Sequence, residues 1–205
     1  MTKLGDDDKN GGKDKDKEND GARIQERLLE ARTILVTDEV SDEMYRKVAI
    51  SLILLEKLDP KAAITVFVNS PGGSADSGFA IYDLLRFSSC PIRTVANGVV
   101  ASAAVLIYLG AEKGQRHSLP SARFLLHQPS TAVRGQSSDI DIAAREIVKL
   151  RRRYNEIVAE TTVKDLATVE KDSDRDFWLT PTEAKDYGLV DRIVKTRAEL
   201  DAKTK

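Results

Sequence analysis

Short β-branched segments alternate with longer helical segments along this chain, and this alternation limits the fold more than any other feature. Strands are predicted over residues 33–37, 63–69, 92–96, 123–127, 177–179 and 189–194. Helices are predicted over residues 23–32, from a Ser41 cap to about residue 58, over residues 75–87, from about 138 to 160 and over 166–170, with further helices beginning at Ser102 and Pro181. Strands that are separated by helices are typical of an α/β domain whose strands pair mostly in parallel.

The chain of 205 residues is long enough for one domain with a core of its own. Residues 1–22 are a mixed-charge segment with few apolar side chains, so burial cannot offset chain entropy and disorder is predicted there. We therefore expect a domain over residues 23–195, followed by a C-terminal tail over residues 196–205.

Charge, hydropathy and cysteine content exclude several classes of protein. The formal net charge of -1 argues against nucleic acid as the main partner. The longest apolar stretch, residues 99–109, is interrupted by Ser102 and is far shorter than the roughly 20 residues that cross a bilayer. We therefore expect no membrane association and a cytoplasmic protein. The single cysteine, Cys90, excludes an internal disulfide and is predicted to be a small core residue.

A serine is predicted at the start of a helix. Gly98 permits a tight turn after the strand at residues 92–96, and Ser102 follows where backbone N–H groups favour negative charge, such as an oxyanion. The residues around it are not the glycine-flanked elbow of the α/β hydrolases, which argues against that fold. A nucleophile and a capping or core serine both fit this pattern.

Two adjacent glycines follow the strand predicted at residues 63–69. Gly72 and Gly73 let the backbone come close to a ligand. The N–H groups of Gly73 and of Ala103, the residue after Ser102, are therefore candidates for a two-donor oxyanion hole. No Gly-Lys-Ser/Thr sequence follows, which excludes a phosphate-binding P-loop. An ordinary strand-to-helix turn is the alternative.

Histidine is scarce, since the chain has only two. His127 ends a predicted strand, which allows its imidazole to face a cleft, whereas His117 is predicted to lie at the surface. Asp172, Asp174 and Asp176 form an acidic cluster further along. One buried carboxylate from this cluster would orient His127 and complete a Ser/His/Asp set for nucleophilic acyl transfer. A structural histidine and a solvated acidic loop are the alternatives.

The longest predicted helix carries an apolar stripe at alternating steps of three and four residues. Its members are Ile140, Ala143, Ile147, Leu150, Tyr154 and Ile157. Polar and charged residues occupy the other faces of this helix. The stripe is therefore predicted either to pack on the core of its own chain or to pair with a neighbouring subunit.

Taken together, these motifs resemble the Clp protease proteolytic subunit, the ClpP family, over roughly residues 32–194. The segments that carry the resemblance are residues 68–73, 101–102, 118–120, 127–129, 135–136, 172–177 and 183–191. Each segment alone is weak evidence for the resemblance, but the order and spacing of all the segments together are specific. The resemblance implies the spiral of ββα units that this family shares with crotonases, together with a protruding handle that contains the long helix.

The resemblance implies roles by position. Ser102 would be the nucleophile, His127 the general base and Asp176 the orienting acid. Gly73 and Ala103 would donate backbone N–H groups to the oxyanion. Neither a cofactor nor a metal ion is implied.

The resemblance also implies an assembly. Family members stack two seven-membered rings into a hollow barrel, in whose chamber they cleave unfolded polypeptides that an AAA+ unfoldase ATPase delivers. Asp174 and Arg175 match residues that contact the opposite ring, and Gln136 and Asp139 match their usual partners. A peptide would lie extended beside the strand edges near Gly73 and Gln136, held by main-chain hydrogen bonds.

Departures from the family pattern keep other functions open. Ala104 stands where glycine is usual and is expected to crowd the helix start or narrow the substrate pocket. Thr65 and Phe67 stand in a strand where the family often alternates tyrosines, and a charged segment replaces the apolar N-terminal gate. These changes also fit a structural or regulatory subunit of low activity in a mixed ring with a paralogue. A crotonase-like acyl-CoA enzyme is the third hypothesis.

Overall fold

The computed structural model describes residues 23–24, 26–130 and 132–202, so the disorder predicted for residues 1–22 lies outside the described residues. The strands are β1 (Thr33–Val36), β2 (Ile64–Ser70), β3 (Ile92–Ala101), β4 (Arg116–Ser118), β5 (Arg123–Leu126), β6 (Phe177–Leu179) and β7 (Arg192–Ile193). The helices that follow β1 are α1 (Asp42–Leu58), α2 (Ala75–Phe87), α3 (Ala103–Leu109), α4 (Ser137–Thr162), α5 (Leu166–Asp172), α6 (Pro181–Tyr187) and α7 (Arg197–Asp201). Residues 23–24 and 26–30 are also helical.

The strands form one branched sheet. β1, β2, β3, β4 and β7 are neighbours in that order and pair in parallel. β5 pairs in parallel with the last residues of β3, and β6 closes this branch by pairing antiparallel with β5. The prediction of an α/β fold with mostly parallel strands is confirmed.

The third strand serves both branches of the sheet. Its predicted end at residue 96 is wrong, because Gly98 takes a φ of 101° inside a continuous strand. Residues 94–96 pair with β4, whereas residues 99–101 pair with β5. At this irregularity the side-chain oxygen of Asn69 accepts a hydrogen bond from the N–H of Val99, at 3.0 Å. Positive φ at a glycine therefore redirects the strand without ending it.

Helices α1 and α2 begin where the sequence predicts, because hydroxyl side chains cap them. Ser41 accepts a hydrogen bond from the N–H of Met44, and Ser74 accepts one from the N–H of Ser77. The hydroxyl of Ser77 also donates to a carboxylate oxygen of Asp42 at 2.8 Å, which joins the N-terminal ends of α1 and α2.

The core lies between the sheet and the helices, with α3 at its centre. Every residue of α3 is buried. A Cβ atom added at Gly78 of α2 would lie 3.0 Å from the Cβ atom of Ala103, so α2 packs closely on the start of α3. Cys90 is also buried, which confirms the predicted core position of this side chain.

The long helix α4 joins this core only along its C-terminal half. Tyr154 and Ile157 pack in the core, whereas Ile140 and Val148 are 45% and 63% exposed. The end of the predicted stripe therefore packs on its own chain, while most of the first half of the helix is exposed, with Ala143 and Ile147 partly buried. Across the described ranges, no helix offers an apolar run of the length that a lipid bilayer demands.

The prediction that His117 lies at the surface is wrong. His117 is 2% exposed and belongs to β4, a strand that the sequence did not reveal, between β3 and β7. Burial, with smaller contributions from the nearby cations Arg93 and Arg192, lowers the pKa of His117 to about 4. This histidine is therefore neutral at physiological pH.

A buried ion pair holds the C-terminal strand β7 beside β4. The Arg116 guanidinium, 1% exposed, donates to both carboxylate oxygens of Asp191, at 2.9 and 3.1 Å. Asp191 also accepts hydrogen bonds from the backbone N–H groups of Gly114 and Arg116. Further along, Leu200 of α7 is buried against Val95 and Val194.

Replacing Asp191 with alanine is expected to lower the free energy of unfolding by about 3–5 kcal/mol, because it leaves the Arg116 guanidinium buried without its anion. Urea unfolding at a fixed protein concentration measures this change. Lys47→Gln is the control, since it breaks an exposed pair with Glu43 and should have little effect. Equal effects of the two substitutions would contradict the role given to Asp191.

Candidate active site

Three strands of the sheet end beside one another, and a candidate residue follows each of them. β2 leads into Gly72, β3 into Ser102 and β5 into His127. Neighbouring parallel strands have their carboxyl ends at the same edge of a sheet, where ligand sites in α/β proteins commonly form. The fold thus brings together residues that are far apart in the sequence.

Ser102 has a strained backbone at the junction of β3 and α3. Its φ of 54° and ψ of -125° are rare for an L-amino acid. Its N–H donates to the carbonyl of Leu125 in β5, and its carbonyl accepts from the N–H of Val105. Ser102 occupies the N-cap position of α3 but makes no capping hydrogen bond with its side chain. The alternative that Ser102 caps the helix is therefore wrong, because its hydroxyl group does not accept a hydrogen bond from the helix N-terminus.

The glycine turn lies directly against this serine. Gly72 has a φ of 93°, and a Cβ atom added to it would lie 2.6 Å from Ser102 Cβ and 2.7 Å from the carbonyl oxygen of Ala101. Such distances are far below van der Waals contact, so only glycine fits this position. The position of the glycine turn relative to Ser102 is therefore fixed.

The orientation of Gly73 follows from its pairing with Val40. Val40 donates to the carbonyl of Gly72 and accepts from the N–H of Ser74, each at 2.8 Å. Backbone groups of successive residues point to opposite sides of an extended strand. The N–H of Gly73 therefore points away from Val40, on the side of the strand opposite to this bridge.

His127 and Asp176 meet because β5 and β6 are antiparallel. Leu126 and Phe177 are paired across these strands, so the residue after one and the residue before the other become neighbours. His127 Nδ1 lies 3.2 Å from a carboxylate oxygen of Asp176. When Nδ1 donates to this carboxylate, Nε2 is the ring nitrogen that can accept a proton. The predicted burial of the carboxylate is wrong, since the Asp176 side chain is 66% exposed.

Ser102, His127 and the glycine turn line one cavity of about 650 Å³. Ala103 lines it as well, and its remaining wall is largely apolar, with Phe79, Leu106, Ala143, Ile147, Leu150 and Tyr154. Among the described residues, no hydrogen bond joins Ser102 to His127. Ala104 is fully buried in the core and is not part of the wall, so the expected narrowing of the pocket does not occur.

The loop that carries Asp176 is anchored on two sides. Gln128 donates to the backbone carbonyl of Asp174 at 2.8 Å, and Arg151 of α4 lies 3.4 Å from the Asp174 carboxylate. Ser173 donates to the side-chain oxygen of Asn155 at 3.0 Å, and both side chains are fully buried. Sequence reasoning missed this last pair, because a serine between two aspartates and an asparagine in a charged helix look solvent-exposed.

The residues predicted at the ring contact do not meet within one chain. Gln136 is the N-cap residue of α4, and Asp139 lies in the first turn of that helix. Asp174 and Arg175 lie on the acidic loop, and all four residues are exposed. In the described part of the chain, no hydrogen bond or ion pair joins the first two residues to the last two.

The cavity presents a hydroxyl, an imidazole with a carboxylate on its far nitrogen, and nearby backbone N–H groups. This is the set that nucleophilic acyl transfer requires. Within residues 23–24, 26–130 and 132–202, no group of three or more His, Cys, Asp or Glu side chains is arranged to hold a metal ion.

Sequence comparison agrees with this geometry. The Clp protease family model matches residues 16–197. The chain belongs to the Clp protease family. It is 39% identical over 189 residues to the ATP-dependent Clp protease proteolytic subunit 2 of Treponema denticola, covering 92% of this chain and 94% of that relative. It is 44% identical over 180 residues to proteolytic subunit 3 of Rhizobium etli, covering 88% of this chain and 92% of that relative.

Structural comparison gives the same family. A ClpP1 variant from Listeria monocytogenes superposes with a TM-score of 0.81 at 40% identity, covering 87% of this chain and 99% of that one. The chain therefore has the ClpP fold, as the sequence motifs predict, and is a ClpP paralogue. Family membership leaves the crotonase-like acyl-CoA hypothesis without support.

Two substitutions distinguish the effect of the Gly72–Ser102 contact on stability from the effect of a positive φ. Gly114 has a φ of 90° but nothing within 4 Å of an added Cβ atom. Gly114→Ala is expected to lower the free energy of unfolding by about 1–2 kcal/mol through backbone strain. Gly72→Ala is expected to cost about 1–3 kcal/mol more, because the methyl group overpacks Ser102. Urea unfolding measures the free energy of unfolding of both variants. Equal decreases would show that the structure accommodates a methyl group between Gly72 and Ser102 at little cost, which would contradict the role given to this contact.

Proposed function

We propose that this chain is a serine endopeptidase that cleaves unfolded polypeptides, with Ser102 as nucleophile, His127 as general base and Asp176 as orienting acid. The observation that carries this proposal is the 3.2 Å contact between His127 and Asp176 at a cavity that Ser102 also lines. Membership of a family of proteolytic subunits supports the same function.

The reaction follows from the atoms in the cavity. His127 Nε2 takes the proton of the Ser102 hydroxyl while the serine oxygen attacks the peptide carbonyl, whose π electrons move onto its oxygen. The imidazolium then protonates the departing amine as the C–N bond breaks, which leaves an acyl-serine. Water, deprotonated by the same imidazole, attacks this ester, and the serine oxygen leaves with the proton that His127 returns. Asp176 accepts the Nδ1 hydrogen bond throughout and stabilises the cation.

The negative oxygen of each tetrahedral intermediate needs donors, and we assign the backbone N–H groups of Gly73 and Ala103. Ala103 is the first residue of α3, so its N–H has no acceptor within the helix. The close approach of Gly72 to the backbone of Ala103 fixes the two donors relative to each other. Each donor of this kind contributes about 10²–10³ in kcat.

The strained backbone of Ser102 supports a catalytic role for its side chain. Strain of this kind costs about 1–3 kcal/mol and persists only where the surroundings enforce it, commonly at functional sites. Here the enforcing contacts are the hydrogen bond to Leu125 and the packing of Gly72.

Ser102→Ala is expected to abolish fluorophosphonate labelling and peptide hydrolysis, and Asp176→Asn is expected to lower kcat by about 10³–10⁴-fold through loss of the correct tautomer. Ser130→Ala is the control for the serine, since Ser130 is exposed on the wall of the same cavity. Asp83→Asn, on the exposed face of α2, is the control for the acid. Wild-type labelling no faster than that of Ser102→Ala, in the assembled state, would remove the proposal.

We further propose that the active form is a double ring of two stacked seven-membered rings, which receives substrate from an AAA+ unfoldase ATPase. The exposed apolar side chains on the first half of α4, among them Ile140, Ile142 and Val148, favour burial against another copy. Gln136, Asp139, Asp174 and Arg175 would form the polar part of this contact between rings.

A second candidate function is a regulatory subunit of low activity in a mixed ring. It is favoured by the missing hydrogen bond between Ser102 and His127 among the described residues, and by the exposure of Asp176. In this case the triad would close only when a paralogue supplies the opposite surface. Strong peptide cleavage by this chain, purified without a paralogue, would exclude the regulatory role.

If ring contact aligns the triad, Arg175→Ala is expected to lower both the double-ring fraction and the rate of Ser102 labelling. Lys171→Ala is the matched control, because Lys171 is an exposed cation on the preceding helix α5. Sedimentation velocity and probe labelling on the same samples measure the two quantities. Unchanged assembly with unchanged labelling in Arg175→Ala would contradict the assignment of this residue.

A further inference from the structure

The charged side chains that line the Ser102 cavity are acidic. Three of its lining residues are carboxylates, Glu39, Asp76 and Glu146. No lysine or arginine is present among the described residues that line it. The cavity itself is defined independently of these acids, by Ser102, His127 and the glycine turn.

Glu39 packs against the glycine turn. It directly precedes Val40, which pairs with Gly73, and a Cβ atom added at Gly73 would lie 2.7 Å from Glu39 Cγ. Its side chain therefore packs on the residue that we assign as an oxyanion donor. A peptide whose carbonyl reaches this donor lies in the cavity that the Glu39 side chain also lines.

The other two carboxylates lie beside apolar parts of the same wall. Asp76 is in the first turn of α2, one turn before Phe79, and Glu146 is in α4, one turn before Leu150. Glu146 is partly neutralised by Lys149, whose ammonium lies 2.6 Å away. In the described part of the chain no ion pair involves Glu39 or Asp76, so these two acids supply most of the unbalanced charge.

Apolar walls with carboxylates beside them match the chemistry of long cationic side chains. Lysine and arginine lay their methylene stems on apolar surface and keep the charged head among polar groups. Aspartate and glutamate would place a second negative charge in the same cavity, which like-charge repulsion disfavours.

We propose that this cavity selects polypeptide segments that carry lysine or arginine beside the scissile bond and rejects segments that carry aspartate or glutamate there. The selection rests on the proposed peptidase function and names its preferred substrate class. The carboxylates of Glu39 and Asp76 are exposed, so each is expected to change kcat/KM by about twofold to fivefold rather than by orders of magnitude.

The test is a competition among internally quenched peptides that differ at one residue next to the cleavage site, which is Lys, Gln or Glu. The assembled full-length chain is given all three in one reaction, so the amount of active enzyme cancels from the ratios. The expected order of kcat/KM is Lys, then Gln, then Glu, and the Lys/Glu ratio should shrink as salt is raised to about 1 M because salt screens exposed charges.

Variants assign the effect to the named carboxylates. Glu39→Gln and Asp76→Asn are each expected to reduce the Lys/Glu ratio by about twofold to fivefold, and Glu39→Lys is expected to reduce it further. Glu112→Gln, an exposed acid outside the cavity, should leave the ratio unchanged. A wild-type ratio near one, or a ratio that the Glu39 and Asp76 variants leave unchanged, would overturn the inference while Ser102 labelling persists. Loss of labelling in the wild type would instead overturn the peptidase function itself.

Discussion

The approach of the Gly72 backbone to Ser102 is the contact on which the rest of the site depends. Gly72 occupies a position where a Cβ atom would overlap both the serine side chain and the carbonyl of Ala101. This contact places the glycine turn beside the first N–H of α3, and the pairing of Gly73 with Val40 fixes the direction of that turn. The serine itself is held in a strained conformation by β5. The site is thus preorganised by backbone rather than by flexible side chains.

The branching of the sheet explains how the other two members of the proposed triad reach this point. Gly98 lets β3 leave β4 and pair with β5, so Ser102 and His127 follow neighbouring strands. The antiparallel pairing of β5 with β6 then places Asp176 next to His127. The Ser173–Asn155 bond ties the acid loop to α4. Any rearrangement of that helix would therefore act on the position of the acid as well as on the wall of the cavity.

Local chemistry predicts much of the secondary structure, because the signals for helix boundaries are local. Ser41 caps α1 as its sequence context predicts, and Ser74 caps α2. The mistaken prediction for His117 has a physical cause. Gln115 and Arg116 give His117 a polar sequence context that predicts exposure, yet Arg116 is itself buried against Asp191, far away in the chain. A polar segment can be buried when a residue from a distant part of the chain supplies the compensating charge.

The sequence alone determined the α/β class, the family and the identity of the candidate triad, since these depend on residue types, their order and their spacing. Tertiary structure alone decided that β3 continues through Gly98, that Ala104 points into the core, and that Asp176 is exposed while it contacts His127. It also gathered Glu39, Asp76 and Glu146 around one cavity. The physical reason is that burial and charge environment are sums over neighbours from distant segments, and those neighbours are fixed only when the sheet and its helices have packed.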